Sequence, residues 1–155
     1  YEVIAKNIDA IYKDLTRSTR NQLGGTAYLS LENPEEPYLG GLKFSAMPPT
    51  KRFHDLEQLS GGEKTIAALA LLFAIQSYYP SPFFILDEID DALDVPNILH
   101  VVNYIETRCR DVQFVVISLK DTMYERADAL VGVAADAARR SSVIYTLDLQ
   151  EYPLN

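Results

Sequence analysis

From Glu63 to Tyr79 the chain is almost wholly apolar after its first turn, and Pro80 and Pro82 then end the run. A helix that is apolar on every side belongs in a core, so this segment fixes where the rest must gather. Phe83-Phe84-Ile85-Leu86 follows at once and breaks off at Asp87-Glu88. That is the pattern of a central parallel strand whose carboxylates emerge at its C-terminal edge. Pro96 can open the next helix, through about Thr107. Val112 to Ile117 reads as another strand, Asp121 to Ala127 as a short helix, Ala129 to Val133 as a third strand and Ser142 to Leu149 as a final, alternating one. Strand and helix alternate throughout, so the expected class is α/β with parallel central strands.

The first third is patterned differently. Ile4, Ile8, Ile11 and Leu15 recur at helical spacing with charged residues between them. This helix is either a first core helix or the end of a longer coiled coil. Gly24-Gly25 breaks it. Ala27, Leu29 and Leu31 alternate as in a half-buried strand, Asn33 to Gly41 is rich in turn residues, and Leu42, Phe44 and Ala46 supply a hairpin partner that Pro48-Pro49 ends.

With 155 residues, 48% apolar and 23% charged, the chain suffices for one compact domain and is too apolar for a disordered one. Its net charge of −8 repels a polyanion, so any DNA contact must come from a local patch or from partner chains. The single cysteine, Cys109, cannot form an internal disulfide, which fits a reducing compartment. The longest apolar run, Ile66 to Ile75, is too short to span a bilayer, and no membrane partner is expected. No signal peptide is visible, although Tyr1 is not Met and the chain opens inside an element.

Two segments carry chemistry. Leu59-Ser60-Gly61-Gly62-Glu63 meets the start of the apolar helix, where unpaired N–H groups and the helix dipole suit a phosphate. Glycines there let an anion approach the backbone, and Ser60 adds a hydroxyl. The same S-x-x-E spacing is also a capping box, which needs no ligand. Asp87 and Glu88 stand at the strand edge where parallel sheets bind ligands. Asp87 can hold Mg²⁺ through water and Glu88 can polarise an attacking water. The bland reading is a solvated acidic loop, since Asp90, Asp91 and Asp94 follow. Nothing reads G-x-x-x-x-G-K-[ST], the loop that cradles phosphates. Gly62-Glu63-Lys64-Thr65 only mimics its end: Glu63 separates Gly62 from Lys64, and Glu57 stands where the earlier glycine is required.

In order within one short stretch, S-G-G-E, a buried helix, a strand ending D-E and Ala92-Leu93-Asp94 are more specific together than apart. The combination resembles the ATP-binding-cassette ATPases: LSGGE is similar to their signature motif, FILDE to Walker B, and Asp94 to the D-loop aspartate. LSGGEKTIAALALLFAIQSYYPSPFFILDEIDDALD resembles the SMC branch more than transporters, which the lack of a preceding Walker A also disfavours. The resemblance runs from about Leu23 onward, and AMPPTKRFHDLEQ and VVISLKDTMYERADALVGV are similar to SMC proteins of the first-subunit type in eukaryotic cohesin.

That resemblance implies the C-terminal lobe of an ABC-type head over 23–155, with a β-hairpin ahead of the parallel strands, and the end of a coiled-coil or neck helix over 1–22. It implies an ATP hydrolase half-site, inactive alone, that contributes to head engagement in sister-chromatid cohesion and chromosome organisation in the nucleus. ATP and Mg²⁺ would be its ligands, Glu88 its catalytic residue and Asp87 its metal ligand. Leu59, Ser60, Gly61, Gly62, Glu63, Asp94 and Ser118 would be its nucleotide-contacting set. The implied partners are the N-terminal half of the same head with Walker A, the head of the third cohesin SMC subunit, a kleisin C-terminal winged-helix domain near Ser142–Leu149, and DNA through the assembled complex. The alternative is a non-catalytic module whose main role is docking the kleisin.

Ser118 stands where cassette ATPases often carry a histidine facing the γ-phosphate; a hydroxyl donates one hydrogen bond but is no comparable base. It equally suits a strand-end cap for the helix that follows. His54 and His100 lack metal-ligand spacing and receive no role, and Lys51-Arg52 and Arg139-Arg140 read as solvated surface pairs.

Overall fold

The computed structural model describes residues 1–19, 21–49 and 58–151. Glu57, His54 and the pair Lys51-Arg52 lie outside them. Helix α1 (Glu2–Thr16) buries Ile8, Ile11, Tyr12 and Leu15, the face its apolar spacing dictates. It packs on α2 (Gly61–Tyr78), on strand β1 (Thr26–Leu31) and on α3 (Val95–Arg108). Gly24-Gly25 does not end α1, which stops at Thr16 with Arg17 already extended. The glycines instead bring the returning chain against the helix. Gly24 has φ +70, and a Cβ on it would lie 2.5 Å from the Lys13 carbonyl; Gly25 leaves the same narrow gap to Tyr12 and Met47. Thr16 Oγ1 accepts from the Gly25 N–H at 2.7 Å and holds that approach.

Strands β1 (Thr26–Leu31) and β2 (Leu42–Met47) form the expected antiparallel hairpin, in register from Thr26 opposite Met47 to Leu31 opposite Leu42. Asp9 ties it to α1 by accepting from the Ala27 N–H at 3.1 Å.

Strands β3 (Phe83–Asp87) and β4 (Gln113–Ile117) pair in parallel, Phe83 opposite Gln113 through Asp87 opposite Ile117, joined by α3 (Val95–Arg108). The two-residue pleat sends Phe84, Leu86, Phe114 and Val116 inward. Phe84 and Phe114 stack at 5.4 Å, Phe73 of α2 meets both edge-on, and Tyr104 of α3 stacks on Phe73 at 4.7 Å. This aromatic cluster joins both helices to the parallel strands, and such pairs contribute about 0.5–1.5 kcal/mol each beyond the area they bury.

The opposite face of β3 and β4 is also apolar but open: Phe83, Ile85, Val115 and Ile117 are all exposed, Ile85 at 60%. Helix α2, expected to be buried on every side, buries Ile66, Leu69, Ala70, Phe73 and Ala74 but leaves Leu72 and Ile75 exposed. Among the described residues no second layer covers these faces.

The parallel arrangement stops at two strands. Ala129–Val133, expected as a third strand, belongs to the longer β5 (Ala129–Asp136), which pairs antiparallel with β6 (Ser141–Asp148). The turn between them decides this. Asp136 accepts from the Ala138 and Arg139 N–H groups at 3.0 and 3.1 Å, and Arg140 takes a left-handed φ of 50. Helix α4 (Asp121–Tyr124) is shorter than the expected Asp121–Ala127. Among the described residues no helix is long and apolar enough to cross a membrane.

Two outcomes test this core. Phe73→Ala should cost about 3–5 kcal/mol in urea unfolding, because it empties the centre of the aromatic cluster; a loss under about 1 kcal/mol would mean that the cluster is incidental. Tyr12 is buried, and desolvation, with the Glu63 charge second, raises its pKa from 10.0 to about 12. Its folded form therefore holds its proton where the unfolded form loses it, so this contribution is intact below pH 10 and fades as pH rises from 10 towards 12. The stability of Tyr12→Phe should fall less steeply over that interval, and identical slopes would contradict the assignment.

Candidate functional site

Helix α2 begins with both readings of S-G-G-E in place. Ser60 Oγ accepts from the Glu63 N–H at 3.3 Å and a Glu63 carboxylate oxygen accepts from the Ser60 N–H at 2.7 Å, a complete capping box. Glu63 is thus engaged in holding the turn, and its charge also reaches Tyr12. Leu59 is buried beneath the loop as its anchor. The cap satisfies the Glu63 N–H and leaves those of Gly61 and Gly62 without an acceptor among the described residues. Ser60 and Gly61 are exposed and Gly62 is half-buried at the positive end of α2, where a hydroxyl and two uncommitted N–H groups stand together.

Gly62 has a reason the sequence did not reveal. A Cβ there would come within 2.7 Å of the Ala92 carbonyl oxygen. The start of α2 therefore rests on the main chain of the loop after β3, and the two motifs touch through their backbones. Gly61 is less constrained, with Ala92 Cβ at an ordinary 3.8 Å from an added methyl.

Asp87 ends β3 and is exposed, as is Glu88 beside it. The Glu88 N–H donates to the Ile117 carbonyl at 2.9 Å, extending the parallel ladder one step past the strand. Glu88 itself adopts φ 49, a left-handed conformation uncommon outside glycine and associated with functional sites. Asp94 caps α3, its carboxylate accepting from the Asn97 N–H at 3.0 Å. Among the described residues no group of three His, Cys, Asp or Glu side chains could hold a metal. The donor set instead suits Mg²⁺, which takes one or two carboxylates and completes its shell with water and phosphate oxygens; Asp87 is the carboxylate at hand.

Sequence reasoning missed two residues here. Asp90, read as part of a solvated acidic loop, is the one buried charged side chain among those described, at 1% exposure. Ser118 Oγ donates to its Oδ2 at 2.7 Å, so the hydroxyl proton of Ser118 is committed to a carboxylate. Lys120 is drawn into the same place, its ammonium donating to the carbonyl oxygens of Asp90 and Leu93. A contact spanning 28 residues has no local signature in the sequence. His100 is half-buried on α3, and Arg139 pairs with Asp136 at 3.8 Å. A concavity of about 800 Å³ lies away from the motifs, between the end of α1 and α3, lined by Arg17, His100, Tyr104 and Arg108 among others.

Comparison with known proteins finds relatives over nearly the whole chain. The family model described as "RecF/RecN/SMC N terminal domain" matches residues 9–142. The structural maintenance of chromosomes protein 1 of Schizosaccharomyces pombe is 57% identical over 150 residues, 96% of this chain. The chain spans only 12–13% of the curated relatives of that name that it matches. A crystal structure of an SMC head bound to the C-winged helix domain of ScpA is 40% identical and superposes with TM-score 0.87, covering 97% of this chain and 44% of that one. A structure concerned with ATP-driven dimerisation and DNA-stimulated activation of SMC ATPases is 38% identical with TM-score 0.82, covering 96% of this chain and 86% of that one. A family match over most of the chain, and these likenesses in sequence and fold, show that the chain belongs to the RecF/RecN/SMC family, on its SMC branch.

Proposed function

We propose that the chain is the C-terminal half of an SMC ATPase head, a half-site that hydrolyses ATP only when completed by other segments. The observation that carries this is the two-stranded parallel sheet, apolar and open on its outer face, with Asp87 and Glu88 at its end. Parallel sheets are stable when both faces are covered. The piece that covers this face is then the N-terminal half of the same head, which brings the missing Walker A loop to the carboxylates. A solved SMC chain of which this one covers 86% supports the view that such a half stands as a unit. Helix α1 would continue upstream as the neck of a coiled coil.

In this reading Asp87 would hold Mg²⁺ through water, and the ion would supply neutralisation of the phosphate charge. Glu88 accepts a hydrogen bond from the attacking water and orients it toward the γ-phosphate. Ser60 and the N–H groups of Gly61 and Gly62 donate to the γ-phosphate of an ATP held by the partner head, so nucleotide joins two heads. Leu59 and Glu63 support that loop, and Asp94 fixes the start of α3 beside it. The work is positioning and charge stabilisation, not covalent chemistry. The partner head would be that of the third cohesin SMC subunit, and the setting chromosome organisation and sister-chromatid cohesion in the nucleus, with DNA held by the assembled complex.

Reconstitution with the N-terminal half and a partner head tests the assignment. Glu88→Gln should keep ATP-dependent pairing of heads and lower turnover by about 100-fold or more. Turnover at the normal rate would remove Glu88 from the chemistry, and ATP binding by this chain alone as tight as by the complex would end the half-site reading.

A second role is favoured by β5 and β6. Val131, Val133 and Ile144 share one face of that hairpin and are each at least 65% exposed. A similar head is bound to the C-winged helix domain of ScpA. This hairpin would dock a kleisin C-terminal winged-helix domain, in addition to the ATPase role or in place of it. Ile144→Glu should weaken binding of that domain, measured without nucleotide, by about tenfold or more; unchanged affinity would place the docking surface elsewhere.

A further inference from the structure

We infer that Asp90, Ser118 and Lys120 form a latch that sets the main chain of the loop between Asp87-Glu88 and the start of α2, so that Ser118 and Lys120 are positioning residues for ATP hydrolysis. The inference rests on the ATPase reading above and deepens it.

The loop from Glu88 to Asp94 has few ways to hold its shape by itself. Its internal hydrogen bonds are Asp91 N–H to the Glu88 carbonyl at 3.3 Å and Leu93 N–H to the Asp90 carbonyl at 3.0 Å. The segment after β4 supplies the rest. Ser118 Oγ donates to Asp90 Oδ2 at 2.7 Å and accepts from the Lys120 N–H at 3.0 Å, so one hydroxyl ties the loop to its own backbone. The Lys120 ammonium donates to the carbonyl oxygens of Asp90 and of Leu93, the latter at 3.2 Å. Both ends of the four-residue step 90–93, which contains Ala92, are thereby gripped. Burial adds weight: a carboxylate exposed by 1% is held inside by partners, since removing it from water is otherwise costly. Its Oδ1 has none among the described residues, which leaves Ser118 as its side-chain partner there.

What the latch holds is the surface that α2 rests on. The Ala92 carbonyl is the atom that a Cβ on Gly62 would strike, so any shift of this step moves the Gly61 and Gly62 donors. At the other end of the loop, Glu88 is bonded to the Ile117 carbonyl, one residue before Ser118. Residues 117–120 therefore touch the loop beside the hydrolytic carboxylate and beside the donors that face the opposite head. Displacing either by a fraction of an ångström lowers the rate without removing a ligand. Ser118 acts through Asp90 because its one proton already goes there.

The test uses the complete head complex with Ser118→Ala, Lys120→Met, the double variant and Ser118→Thr. Turnover at saturating ATP should fall about ten- to a hundredfold in each of the first two. ATP affinity should stay within about twofold, the double variant should be no worse than the poorer single one, and Ser118→Thr should restore activity. Amide hydrogen exchange at Leu93, whose N–H is bonded to the Asp90 carbonyl, should quicken in the first two variants whether or not the complex hydrolyses ATP. Multiplicative losses in the double variant would overturn the latch, as would weakened ATP binding that matches the lost turnover, which would make Ser118 a direct ligand. Unaltered exchange at Leu93 would overturn it too. If the unmodified complex fails to hydrolyse ATP, the ATPase reading falls, and the exchange measurement alone decides the latch.

Discussion

Two parallel strands cannot satisfy a sheet. Each of β3 and β4 presents one face to α2 and α3 through the Phe73, Phe84, Phe114 and Tyr104 cluster, and an apolar face that nothing among the described residues covers. The pairing is worth keeping only because the inner face is so well packed. Everything of interest at the site depends on that imbalance, since it aligns the strand ends rigidly while leaving their surroundings unfinished. Asp87, Glu88 and the glycines of α2 are accurately placed at the border of a surface that still wants a neighbour.

The tie between the motifs is made by main chain. Gly62 lies against the Ala92 carbonyl, and the Glu88 N–H completes the β3–β4 ladder. Side chains then lock the arrangement: the Ser60–Glu63 box on one side and the Asp90–Ser118 hydrogen bond on the other. A capping motif and a ligand loop are often weighed against each other as explanations of one sequence. Here they coexist, because the cap uses the third N–H of the helix and leaves the first two outward.

Much of this was legible from residues alone. The α1 face came from Ile8, Ile11 and Leu15 at helical spacing, β1 and β2 from two alternating runs flanking a proline- and glycine-rich turn, and the start of α2 from the S-x-x-E capping box that local rules can read. The failures share a cause. Whether α2 is covered on all sides, whether β5 joins the parallel pair, and whether Asp90 is wet all depend on what lies across space. Sequence patterning registers only that a residue would accept burial, so α2 was expected to vanish into a core that this chain only half supplies. For β5, the turn at Asp136 folds the chain back so that β6 becomes its antiparallel partner. For Asp90, neighbouring acids disguised one carboxylate that a serine hydroxyl had drawn indoors.

Glu88 sits in a backbone conformation that glycine adopts freely and that costs an ordinary L-residue about 1–2 kcal/mol. Asparagine and aspartate would bear it more comfortably, yet neither extends a carboxylate so far. A drift toward greater rigidity in this protein would therefore begin by discarding the side chain that the proposed chemistry can least do without. A glutamate at this position in the family's other heads, in the same left-handed pose, would mean that selection for turnover keeps the head below the stability its fold could reach.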